Sequence, residues 1–207
     1  MNRIFVEAKS ENTPECKFLQ AIISKYGQDK EYEFVCMNGF GNLFNESILN
    51  QLNLAVDNGD NSLVLLDADS PKQGGGYEAK KAWIETCFAK YGLRVPYFFY
   101  PDNGNDGDVE CLMEAVARKD IHRVWFDCFE DYERCVSGVR DETGKNVYNT
   151  PNRKGKLHTY ITAMQLKSKD RYKLGSGNWL FDNPDYWDLS SISLAPLLEF
   201  FSENLKS

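Results

Sequence analysis

Apolar positions in this chain switch between a strand-like and a helix-like rhythm. Arg3 to Val6 is a short β-rich run, and Cys16 to Lys25 carries apolar side chains at helical spacing (Phe18, Leu19, Ile22, Ile23), with Gly27 where a helix C-cap belongs. Tyr32 to Met37 predicts a second strand, Asn38-Gly39-Phe40-Gly41 a turn, and Leu43 to Val56 a second helix closed by Asp57-Asn58-Gly59. The run Ser62-Leu63-Val64-Leu65-Leu66 is almost continuously apolar, as expected for a central parallel strand covered on both faces, and it stops at Asp67. Lys72-Gln73-Gly74-Gly75-Gly76 reads as a flexible stretch, either a linker or a mobile loop over a substrate, and it lacks the Gly-Lys-Ser/Thr ending of a P-loop. A helix is expected from Tyr77 to Tyr91, with Ala82, Trp83, Cys87 and Phe88 on its apolar face and Gly92 closing it. Val95 to Tyr100 predicts a fourth strand, and a polar loop from Pro101 to Asp106 leads into a helix over Asp108 to Arg118.

Alternating strands and helices imply an α/β fold over residues 1–119, a four-stranded parallel sheet flanked by helices with right-handed crossovers. From Asp120 the alternation ceases. Aromatic helical segments follow at Val124 to Val136, Leu157 to Leu166 and Leu194 to Leu205, separated by turn-rich loops at Asp141 to Lys156 and Leu174 to Asp185. Residues 120–207 are therefore expected to form a mostly helical C-terminal extension or subdomain. Its aromatics, Trp125, Phe126, Phe129, Tyr132, Trp179, Phe181, Tyr186 and Trp187, have two uses, core packing or base stacking, and helical spacing favours the core.

Composition narrows the function. A net charge of −7 argues against a protein that coats nucleic acid through bulk electrostatics, because that needs a broad Lys/Arg surface. It leaves room for an enzyme acting on nucleic acid, since a bound divalent cation reverses the local sign of clustered carboxylates. No apolar run is long enough to cross a bilayer, and the start carries charges where a signal peptide needs apolar residues, so a soluble cytoplasmic protein without membrane contact is expected. The six cysteines lack a C-x-x-C pair, and His122 and His158 lack ligand spacing, so neither a disulfide framework nor a zinc site is expected.

The chemistry-bearing residues fall at the carboxyl ends of the expected strands, where open α/β sheets place their ligands. Glu7 ends the first strand, Asn38-Gly39 the second and Asp67-Ala68-Asp69 the third, and the Asp102 to Glu110 loop follows the fourth. On an extended backbone Asp67 and Asp69 point the same way and repel unless a cation bridges them; Mg²⁺ suits hard oxygen donors with no His or Cys nearby. The alternative is that Asp67 caps a turn and Asp69 a helix.

At this point the chain resembles the Toprim domain family, most closely the compact OLD-related (overcoming lysogenization defect) Toprim proteins. Ile4-Phe5-Val6-Glu7-Ala8-Lys9-Ser10-Glu11 looks like the family's opening strand, and Leu63 to Asp69 looks like its D-x-D strand. Asn38-Gly39 matches the glycine after the second strand, and Gly107-Asp108-Val109-Glu110 resembles the G-x-x-E element of OLD-like members. The resemblance spans residues 3 to 118. Ala8 stands in place of the usual Gly, Glu11 in place of a frequent Asp, and the loop through Asn12-Thr13-Pro14 is longer. It implies Asp67 and Asp69 as Mg²⁺ ligands (Mn²⁺ substituting), Glu110 at a second ion, Glu7 as general acid or base or a further ligand, and a nuclease acting on DNA or RNA. Lys156, in the basic run Arg153-Lys154-Gly155-Lys156, resembles a catalytic lysine that follows the core in related nucleases. OLD-related domains often work with an ATPase, and with no Walker motif here that partner would be separately encoded.

Rival readings remain open. A non-catalytic Toprim module would bind nucleic acid or a partner ATPase, and a glycosyltransferase would use the D-x-D for a nucleotide-sugar but leave Glu7 idle. A haloacid-dehalogenase phosphatase is disfavoured by Pro71 at the fifth position of its motif.

Overall fold

The structure, a computed structural model, describes residues 1–27 and 30–206. Strands β1 (Asn2–Val6), β2 (Tyr32–Cys36), β3 (Asn61–Asp67) and β4 (Tyr97–Tyr100) form one all-parallel sheet in the order β2-β1-β3-β4. Val6 stands beside Cys36 on one side and Leu65 on the other, so three strands end almost level and Glu7 emerges between its neighbours. Helices α1 (Pro14–Tyr26), α2 (Glu46–Asp57), α3 (Tyr77–Tyr91) and α4 (Val109–Ala115) complete the α/β alternation, a Rossmann-like arrangement. Local chemistry sets their starts. Thr13, Asn45 and Asp108 each accept a backbone N–H from the first turn of α1, α2 and α4, and Pro14 occupies the first turn of α1, where a missing donor costs nothing.

Period-two alternation sends each strand's apolar residues to two cores. Ile4, Val6, Leu63, Leu65, Phe98 and Tyr100 face α1, α4 and the C-terminal helices α5 (Arg123–Ser137), α6 (Arg153–Thr162), α7 (Ser168–Leu174) and α8 (Ala195–Asn204). Phe5, Val64, Leu66 and Phe99 face Ile48 and Leu52 of α2 and Ile84 and Phe88 of α3. Residues beyond 120 thus share a core with the sheet. Trp187 lies fully buried there, its indole N–H donating to the Trp179 carbonyl at 2.8 Å, and Trp179, Phe181, Phe126 and Phe129 are buried as packing residues. No helix among the described residues is long and apolar enough to cross a membrane.

Several details differ from the sequence expectation, each with a reason. The buried stripe of α3 is Lys80, Ile84 and Phe88, spaced four apart, whereas Ala82 and Trp83 are exposed and Trp83 packs against Phe40 and Phe44 at 4.5 and 5.0 Å. Helix α6 starts at Arg153 because the Asn152 side chain caps it, so the basic run lies on a helix and not in a loop. Helix α7 has a single buried side chain, Leu174, too little apolar periodicity to announce it. The expected flexible stretch begins within a short 3-10 turn over Pro71–Gln73, with Gly74 open and Gly75 closely packed. A Cβ on Gly75 would stand 2.7 Å from the Asp69 Cβ and 2.8 Å from the Ala68 carbonyl oxygen, so glycine there serves close approach.

Candidate active site

Glu7 ties three strand ends together. Its Oε1 accepts the Asp67 N–H at 2.9 Å and its Oε2 accepts the Phe40 N–H at 3.1 Å, from the turn after β2. Asp67, the last residue of β3, continues the side-chain row of Leu63 and Leu65, and its Oδ1 accepts the Val109 N–H at 2.8 Å, the first helical position of α4. One turn of α4 then carries Glu110, buried and paired with Lys154 Nζ of α6 at 2.9 Å. Glu15, buried in the first turn of α1, completes the group.

Glu7, Glu15, Asp67, Glu110 and Lys154 line one cleft of about 540 Å³ at the carboxyl edge of the sheet. Its carboxylates share a negative field. Burial, then the charges of Glu7, Glu15 and Glu110, hold the Asp67 carboxyl well above its usual range despite the Val109 N–H. Burial, then Glu7 and Glu110, push Glu15 up to about 8, with Lys154 opposing. Burial also raises Glu7, against the pull of Lys80 and the Asp67 N–H. Beneath them the Tyr100 hydroxyl is fully buried and makes no hydrogen bond among the described residues; burial and the charges of Glu15 and Asp67 oppose its ionisation.

Asp69 does not line this cleft, although its charge helps to raise Glu7. The strand ends at Asp67, and at Asp69 the backbone turns left-handed (φ 56°) while it exchanges hydrogen bonds with Gly107 (2.6 and 2.9 Å). Its carboxylate meets Lys80 Nζ at 2.5 Å, and the same ammonium donates to the Asp67 carbonyl oxygen at 2.7 Å and sits 4.3 Å over the Phe40 ring. The same-side reading of Asp67 and Asp69 rests on an extended backbone that the turn at Asp69 removes. Lys156 is also placed elsewhere. It is buried against Glu114 at 3.0 Å, between the rings of Phe126 and Phe129, and Lys154 is the α6 lysine that reaches the cleft.

Sequence reasoning missed Glu15 and Lys80. A lysine on the same stripe as Ile84 and Phe88 is a legible sign of a buried partner, because an ammonium is not buried unpaired. Glu15 gives no such sign, since an acid in a first helical turn is ordinarily a solvated one.

Among the described residues no group of three or more Asp, Glu, His or Cys side chains is arranged so that it could hold a metal ion. Mg²⁺ rarely uses such a group, binding through one or two carboxylates and keeping several waters. Hard oxygen donors, a cleft with room for waters and a net negative field that Lys154 offsets only in part fit such an open site. Comparison with protein-family models, curated proteins and solved structures finds no match to this chain.

Proposed function

We propose that this chain hydrolyses phosphodiester bonds of nucleic acid at the cleft, the activity the Toprim resemblance implies, with Mg²⁺ or Mn²⁺ held by Asp67 and Glu110; Asp69, which the resemblance also makes a ligand, is paired with Lys80. The observation that carries the reading is the placement of Asp67, Glu7, Glu15 and Glu110 on one cleft at the sheet's carboxyl edge with Lys154 on its rim. When bound, the cation polarises the phosphodiester and stabilises charge on the leaving oxygen. Glu7, anchored by two backbone N–H groups, holds the Asp67 backbone in place and moves a proton at its own carboxylate. Lys154, half exposed and paired with Glu110, is the cleft's cation and would meet a phosphate oxygen there. The Asp69–Lys80 pair fixes the loop after β3 and so the direction of Asp67.

The test incubates purified protein and Mg²⁺ or Mn²⁺ with labelled single- and double-stranded DNA and RNA, alongside Asp67→Asn. Metal-dependent cleavage lost in the variant supports the reading. No cleavage of any substrate, or cleavage that survives Asp67→Asn, overturns it.

A further inference from the structure

The acidic cleft repels the polyanion it is proposed to cut, so the substrate needs a cationic approach nearby. Helix α7 supplies one in an otherwise acidic molecule: Lys169, Arg171 and Lys173 are exposed on it against one acid, Asp170. Between them Tyr172 is 90% exposed, although a tyrosine ring ordinarily buries much of its apolar area. These side chains line a shallow groove of about 770 Å³ that shares Asn12 and Gly175 with the walls of the cleft, so the two concavities adjoin.

The junction between them is closely packed. Gly177, just past α7, has φ 75°, and a Cβ there would stand 2.5 Å from the Thr13 carbonyl carbon. Only glycine permits that approach, which clamps the end of α7 onto the cap of α1, the helix carrying Glu15. Leu174 is buried beneath, so α7 presents its polar face outward on a fixed base.

We infer that the substrate is a single strand of nucleic acid laid from the cleft across α7, its phosphates met by Lys169, Arg171 and Lys173 and one unpaired base stacked on Tyr172. A duplex keeps its bases stacked inside and offers the tyrosine no face, whereas stacking on exposed aromatics beside cations is how single strands are held without sequence preference. This inference rests on the phosphodiester reading for its direction along the groove, and its test is independent of turnover.

The experiment measures fluorescence anisotropy of fluorescein-labelled oligothymidine, oligouridine and a duplex of equal length in metal-free buffer, with wild type, Tyr172→Ala, Tyr172→Phe and the triple variant Lys169→Ala/Arg171→Ala/Lys173→Ala. Wild type should bind a single strand more tightly than the duplex, the DNA and RNA arms showing which sugar is preferred. Tyr172→Ala should weaken single-strand binding about 5- to 150-fold, the range that loss of one stacked base gives, while Tyr172→Phe binds as wild type does. The triple variant should flatten the salt dependence by roughly 2 in log–log slope, at about 0.7 for each phosphate that is no longer neutralised. Unchanged melting temperatures, expected for such exposed positions, show that the fold is intact. Equal affinity of Tyr172→Ala and wild type, a duplex bound as tightly as the single strand, or no binding of either overturns the inference. Tyr172-dependent binding without any cleavage would count against the phosphodiester reading alone. Cleavage with Tyr172-independent binding would sink the groove alone.

Discussion

On the α3 side of the sheet's carboxyl edge, Asp69 meets a lysine; two residues earlier on the α1 side, Asp67 meets three more carboxylates. The first arrangement matches a negative charge with Lys80, whose remaining contacts, the Asp67 carbonyl and the Phe40 ring, bind loop to helix. The second is only partly offset, by Lys154 at the rim and by the pull of Lys80 on Glu7. A fold seeking stability alone has every reason to match both, because a like-charged buried cluster raises carboxyl pKa values and costs stability at neutral pH. The difference therefore separates a structural ion pair from a site, and functional sites are where such cost is tolerated.

The comparison is broken or sharpened most strongly at Asp67. Asp67→Asn keeps an oxygen for the Val109 N–H and removes the charge, so cleavage should fall at least about 100-fold while the melting temperature in metal-free buffer at neutral pH is unchanged or raised. A gel assay against labelled oligonucleotides checks this; a strongly destabilised variant would recast Asp67 as the cap of α4.

On the other side, Lys80→Met should act on stability. It strands Asp69 and the Asp67 carbonyl, and denaturant unfolding should show a loss of about 2–3 kcal/mol, below the roughly 3–5 kcal/mol of a fully buried pair. Asp69 is 34% exposed, and the discount reflects that solvent screening. A loss indistinguishable from zero would deny the pair its structural role.

Glu15→Gln should sharpen the contrast through pH. The Glu15 carboxyl sits at about 8 in the fold against an ordinary 4.5. Below 4.5 both folded and unfolded chains carry the proton, and the wild type pays nothing for the site; as pH rises from 4.5 toward 8 the unfolded chain sheds it first, and stability is lost. The Gln variant should therefore match wild type in acid and exceed it at alkaline pH by on the order of 1–3 kcal/mol. Melting curves across that range in metal-free buffer provide the check, and a variant less stable than wild type at high pH would reverse the sign.

Much of the sheet was legible because its strands are near-continuous apolar runs bounded by turns, and α3 was legible to its ends because Gly92 closes it. The carboxyl-edge position of Glu7, Asp67 and Glu110 followed from where the expected strands end and the rule that α/β sheets place ligands there. What was not legible depends on tertiary contact. The left-handed turn at Asp69 accompanies its pairing with Gly107, and Glu15 lies buried where the segment from Leu174 to Trp179 packs beside the start of α1, Gly177 against Thr13. Lys154 and Lys156 lie two residues apart on one helix, so they point differently, and only the packing of α6 against Phe126 and Phe129 decides which is sequestered.

The most direct measurement is a melting series of wild type, Asp67→Asn and Asp69→Asn with and without Mg²⁺ at neutral pH. A cation that binds only the folded cleft should stabilise the wild type, by about 2.7 kcal/mol at a hundred times its dissociation constant. The account predicts that this shift survives Asp69→Asn, whatever that variant's starting stability, and disappears in Asp67→Asn. No Mg²⁺-induced shift in the wild type, or a shift abolished by Asp69→Asn and kept by Asp67→Asn, would contradict it.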